Sequence, residues 1–354
     1  MEMSEDERIL DQSIAVHPFA TELPSEGQKV IDTISEDSRQ KALQIVQELR
    51  LNNRQALVTF GMPAQSKLLA FSNTMLDQVQ RQDIGEIGEI LTDLIGKLNE
   101  VNPDELTPVR QSFFARWFRK KTRSPQETMS RFQKASAQID RISVKLSRSK
   151  NILLADIVML DRLYEHNKEY FHMLNIYIAA GELKLEELHA NSIPTAEHVA
   201  KMETDPLKKQ ELDDILSYTD LLEKRVYDLK ISREITLQSA PQIRLIQHTN
   251  QLLVEKIQSS IMTAIPLWKN QMSIALSFLR QNHAASANKQ VSEKTEKLFV
   301  TNNELEKLAQ THESLRSTLA ESLIIQAEGN SNRQHVEQEF RSIETALKQK
   351  LSEK

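Results

Sequence analysis

Two Glu-x-x-His pairs, Glu169/His172 and Glu186/His189, are the residues of this chain best spaced for metal chemistry. At i and i+3 a carboxylate and an imidazole share one helical face, the spacing by which di-iron bundles hold their ions. Such a site also needs two further glutamates pointing inward from other helices. No apolar stripe of the sequence offers acids at core positions, and His172 falls beside the stripe that runs through Phe171 and Leu174. Both pairs are therefore expected on the surface, holding no metal. The remaining histidines lack the two-on-one-face spacing of zinc hydrolases.

Other reaction chemistry has even less to stand on. The chain contains no cysteine, hence no thiolate nucleophile, thiolate metal site or disulfide framework. In Ile84-Gly85-Glu86-Ile87-Gly88-Glu89 the two glutamates would repel a phosphate, and both glycines lie inside a helical pattern, where close packing explains them. P-loop, dinucleotide and nucleophile-elbow motifs are absent. The expectation is a non-enzymatic protein without cofactors.

Two polar features fit contact surfaces better than catalysis. Phe113, Phe114, Trp117 and Phe118 fall on one helical face, surrounded by Arg116, Arg119 and Lys120. That composition suits an anionic lipid surface or a partner groove, and a plug at the end of a helical bundle would use the same aromatics. Nucleic acid fits poorly, because the basic block is short and the rest of the chain is neutral or acidic. The second feature is a polar seam. On the register of Leu212 to Leu229, Arg233 occupies a seam position, Arg244 and Gln247 lie near its continuation, and Lys269 and Asn270 follow Pro266. Guanidinium forks match oxyanions through paired N–H donors, so these five are the candidate anion ligands. Carboxylate partners or interhelical register-setting would satisfy them equally.

The elements that carry these residues are helices. Among 354 residues only 7 are glycine and 10 proline, too few for a turn-rich sheet protein. Ile84, Ile87, Leu91, Leu94, Leu98 and Val101 recur in steps of three and four, predicting one amphipathic helix. Between Met129 and Ala180 neither breaker occurs, and a stripe from Ile139 through Ile157, Leu160 and Tyr164 to Ile178 predicts a single rod of about 75 Å, at a rise of about 1.5 Å per residue. Pro241 and Pro266 each mark either a kink or a fresh helix start in the pattern that follows, with a kink the favoured reading. A last helix is expected to end near Gly329, with Val291, Leu298, Leu305, Leu308, Leu315 and Leu319 as its seam. The predicted fold is all-α: an elongated antiparallel helical bundle with long coiled-coil-like hairpins.

Five segments follow from these patterns. Residues 1–40 read as an acidic disordered tail. A short-helix region covers 41–108, the basic aromatic segment and long helix 109–190, a connection 191–206, and a kinked C-terminal hairpin region 207–354. The acidic start lacks the basic and apolar parts of a secretory signal, so a cytoplasmic location is expected, with peripheral contact at the inner face of the membrane through the aromatic patch.

Several strings resemble the TelA-type toxic-anion (tellurite) resistance family. They are Phe60-Gly-Met-Pro-Ala-Gln-Ser-Lys, the run from Ile84 to Leu94, and Leu160-Asp-Arg-Leu-Tyr-Glu-His-Asn. Most recognisable are the stretch from Leu229 through Ala240-Pro-Gln-Ile-Arg to Gln247, and Ala264-Ile-Pro-Leu-Trp-Lys-Asn-Gln-Met. The resemblance covers roughly residues 42 to 345 and leaves the acidic tail outside. It implies a bacterial cytoplasmic helical protein associated with resistance to tellurite and other stress, and no catalytic residue set. The resulting expectation is a stress-response scaffold that binds other stress-response proteins. Direct sequestration of the oxyanion is the alternative.

Overall fold

A computed structural model describes residues 24, 27–51, 53–81, 84–101, 103, 125–203, 205–287 and 294–352. All regular structure among them is helical, and the fold is an all-α bundle of a few long helices and several short ones. In chain order, α1 is Glu36–Glu48, α2 Arg54–Thr59, α3 Met62–Arg81, α4 Gly85–Asn99 and α5 Pro125–Glu187. Next come α6 Ile193–Met202, α7 Pro206–Ser259, α8 Ile265–Ala287 and α9 Lys294–Ser352.

The chain divides into two compact units. Of the described residues, unit one holds those within 24–81, 159–245 and 334–352, and unit two those within 84–158 and 246–333. Within unit one, Lys230 meets Glu182, Thr236 meets Asn167 and Arg244 meets Asp161. The numbers rise on α7 as they fall on α5, so the two helices run antiparallel there. In unit two the pairings Asn250 with Asp156 and Gln258 with Lys150 repeat the pattern.

Unit one is sealed by aromatics. Phe71 packs edge-on against Phe340 at 6.2 Å and against Tyr170 at 5.9 Å, while Phe60 meets Tyr177 at 5.6 Å. The Phe60-Gly-Met-Pro string makes the corner between α2 and α3. Gly61 sits at φ +74°, a left-handed conformation that glycine adopts without cost, and a Cβ there would lie 2.5 Å from the Leu229 side chain. Unit two has a purely apolar seam on α4, where Ile84, Ile87, Leu91, Leu94, Leu98 and Val101 are all buried against α5, α7, α8 and α9.

Three boundaries differ from the sequence reading. The part of the supposedly disordered tail that is described is packed: Val30 and Ile31 are buried in a single 3-10 turn, and Ser35 caps α1 by accepting from the Ser38 N–H. The connection placed at 191–206 is mostly helix α6. The helix breaks after Met202 and restarts at Pro206, next to Asp205, whose side chain accepts from the Leu207 N–H. Gly329 does not end α9, which runs on to Ser352. A Cβ at that glycine would lie 2.7 Å from Thr249, so the residue permits close packing inside unit two.

The prolines are absorbed within the helical path. Pro241 lies inside α7, and Pro194 and Pro266 each follow a one-turn π-helix, Leu188–Ser192 and Ser260–Ala264. A proline ring clashes with the carbonyl four residues back. The wider π turn just before each ring is the kind of local adjustment that lets the chain stay helical.

Candidate functional site

The glutamate and histidine pairs do not converge. Glu169 lies 3.3 Å from His166, Glu186 is bound by Lys29 at 2.8 Å, and His189 faces Glu223 at 3.1 Å. Among the described residues no three His, Asp or Glu side chains gather as metal ligands would. The contact candidates Phe113, Phe114, Arg116, Trp117, Phe118, Arg119 and Lys120 lie outside the described residues.

The five anion candidates divide between the units. In unit one, Arg244 is held by Asp161 at 3.0 Å, and its guanidinium carbon lies 3.6 Å from the centre of the Tyr164 ring. Arg233, half-buried on the same helix, donates from Nη1 to Asn175 Oδ1 at 3.3 Å. Burial lowers its pKa, with Glu182 and Glu234 acting in opposition, and its Nε finds no acceptor. Asn175 is fully buried, and its Nδ2 is likewise without a partner. In unit two, Lys269 Nζ is clamped by both oxygens of Asp140, at 2.6 and 2.7 Å. Gln247 donates to the Ile157 carbonyl at 3.4 Å, and Asn270 is exposed. Within neither unit do the candidates meet at one point.

A buried polar cluster in unit two was not foreseen. Asp156 on α5, Asn250 on α7 and Arg333 on α9 are 0%, 1% and 3% exposed. Asn250 Nδ2 donates to Asp156 at 2.5 Å, Arg333 Nη2 donates to Asn250 Oδ1 at 3.1 Å, and Arg333 also forms an ion pair with Asp156. An acid therefore does occupy a core position, contrary to the sequence reading. Its signal was present: Asp156 lies three residues after Leu153 and four before Leu160, both buried. Arg333 Nε and Nη1 have no acceptor.

The strings that carry the family resemblance form much of the two interiors. Ala240 and Ile243 are fully buried, and so is Trp268, whose Nε1 donates to His312 Nδ1 at 3.2 Å. The sequence model of the toxic anion resistance protein (TelA) family matches residues 42–305. The chain belongs to this family. It is 48% identical to the uncharacterized protein YaaN of Bacillus subtilis, an alignment covering 94% of this chain and 91% of that protein. An uncharacterized protein of Listeria monocytogenes is 45% identical, covering 92% and 86% respectively. A TelA-like protein of Staphylococcus haemolyticus is 41% identical over 90% of this chain and 86% of its own length. No solved structure matches the chain. Among the described residues of this TelA-family chain, no helix is long and apolar enough to cross a membrane. Membership of the family suggests a role in toxic anion resistance.

Proposed function

We propose that this chain promotes resistance to tellurite and other toxic anions as a non-enzymatic scaffold, through protein contacts, in the bacterial cytoplasm. One observation carries the choice of scaffold over trap: of the three cationic candidates Arg233, Arg244 and Lys269, two, Arg244 and Lys269, are already paired with carboxylates, Asp161 and Asp140. A cation held by a carboxylate at 3.0 Å or less must break that pair before it can serve an oxyanion. The contacts assigned to the scaffold are other stress-response proteins and, through the segment from Phe113 to Lys120, an anionic membrane face. Exchanging the pair as Arg244→Asp with Asp161→Arg should leave tellurite resistance intact in a strain that depends on this chain. Phe114→Glu with Trp117→Glu should abolish resistance and capture of partners from cells while helicity is kept. Loss of resistance in the exchanged pair, with the contact variant unaffected, would reject the scaffold.

A second reading is supported by Arg233 and Asn175, whose Nε and Nδ2 lack acceptors. An oxyanion reaching them would satisfy both. Calorimetric heat with millimolar tellurite, weakened by Arg233→Ala, supports that reading, and no heat at that concentration ends it.

A further inference from the structure

The outer faces of α4 and α5 in unit two form a groove with one acidic and one basic wall. Glu86, Glu89 and Asp93 stand on α4 at i, i+3 and i+7, all exposed, which places three carboxylates in one row. Lys145 and Arg148 stand on α5, with Ile152 completing a row of the same spacing. Ile90 and Ser149 line the floor and are 7% and 6% exposed. Among the described residues no ion pair or hydrogen bond joins the two walls. The basic wall is also greasy: Val144 is 72% and Ile152 43% exposed, on the same side of α5 as Arg148.

We propose that this face is where two copies of the chain associate, related by a two-fold axis. The order of charges decides the occupant. A polyanion or an anionic lipid surface drawn to Lys145 and Arg148 would meet Glu86, Glu89 and Asp93 alongside, and a polycation would meet the opposite obstacle. The fitting partner carries both signs in matched rows. A second copy does so by construction, because a two-fold axis lays the acid row of one chain on the basic row of the other and repeats that contact in reverse. Ile152 within the basic row and Val144 at its outer edge then add exposed apolar area to the contact, as a homodimer needs.

The test is a charge exchange on the full chain. At low ionic strength the wild type should sediment at twice its 40.7 kDa chain mass and dissociate as salt is raised. Glu86→Lys with Glu89→Lys and Asp93→Lys makes both walls basic; Lys145→Glu with Arg148→Glu makes both acidic. Each variant alone should associate at least tenfold more weakly than the wild type, and an equimolar mixture of the two should recover the dimer mass. All five substitutions are on exposed positions, and circular dichroism checks that helicity is unchanged. A monomeric wild type at 0.1 mM and low salt would overturn the proposal, leaving the groove to solvent or to an unlike partner. Variants that dimerise like the wild type, or a mixture of helical variants that stays monomeric, would overturn it equally.

Discussion

Arg333 and Asp156 form an ion pair inside unit two with 4% and 0% of their side chains exposed, and Asn250 bonds to both. Removing two charges from water costs several kcal/mol for each, which their attraction recovers only when the remaining groups are satisfied. Here they are satisfied only in part, since Arg333 Nε and Nη1 face no acceptor. The cluster is therefore a poor source of stability and a strict condition on alignment, because it joins one residue from each of α5, α7 and α9.

Asp156→Ala alone strands a buried guanidinium and should cost about 3–5 kcal/mol in urea unfolding. Replacing all three residues, as Asp156→Leu, Asn250→Leu and Arg333→Met, should recover that loss or exceed the wild type by about 1–4 kcal/mol. A triple variant as unstable as the single one would mean that the cluster contributes net stability.

Tyr218 makes an alkaline prediction. Burial, with the Glu187 charge adding to it, pushes its pKa up to about 12, and its hydroxyl has no partner. The folded state thus favours the protonated phenol. That contribution is fully present below the ordinary value near 10 and is lost as pH rises toward 12. Tyr218→Phe should flatten the fall in melting temperature across that window and should not destabilise the protein at neutral pH, since it removes an unsatisfied polar atom. Melting curves at pH 7 to 11.5 measure both.

Much of this architecture was legible in the residues. The α4 seam is uniformly apolar, so periodicity located six buried positions from Ile84 to Val101 and passed over Gly88 and Ile90, which are buried beside them. On α5 the same method slipped. Ile157 and Tyr164 are only half-buried, and the buried line instead takes Asp156, Leu163 and Asn167. A stripe traced through apolar residues alone steps around polar ones that the core in fact uses. Gly329 misled for another reason: the intrinsic breaking tendency of glycine is worth about 1 kcal/mol, and packing of long helices outweighs it. The anion candidates were found as polar seam residues, but partners such as Asp140 and Asp161 lie more than 80 residues away and no local pattern points to them.

Gly61→Ala tests the corner between α2 and α3. The left-handed backbone costs a non-glycine residue about 1–2 kcal/mol, and the added methyl would press on Leu229. Combining it with Leu229→Ala removes the clash and leaves the backbone term. The single variant should therefore be destabilised by more than its backbone term, and the pair of substitutions should be less than additive in chemical denaturation. Strict additivity would show that the corner relaxes without touching Leu229.

The Trp268–His312 bond in unit two fixes a tautomer. An indole N–H only donates, so His312 Nδ1 must accept and the ring proton sits on Nε2. His312→Leu leaves a fully buried indole N–H unpartnered and should cost about 1–3 kcal/mol. Trp268→Phe removes the donor, so adding His312→Leu to it should cost markedly less than His312→Leu does in the wild type. The measurement is a double-mutant cycle in urea, expected to give a coupling of about 0.5–3 kcal/mol. A coupling near zero would show that Trp268 holds its place by ring packing alone, and that this family string acts through volume and not through its hydrogen bond.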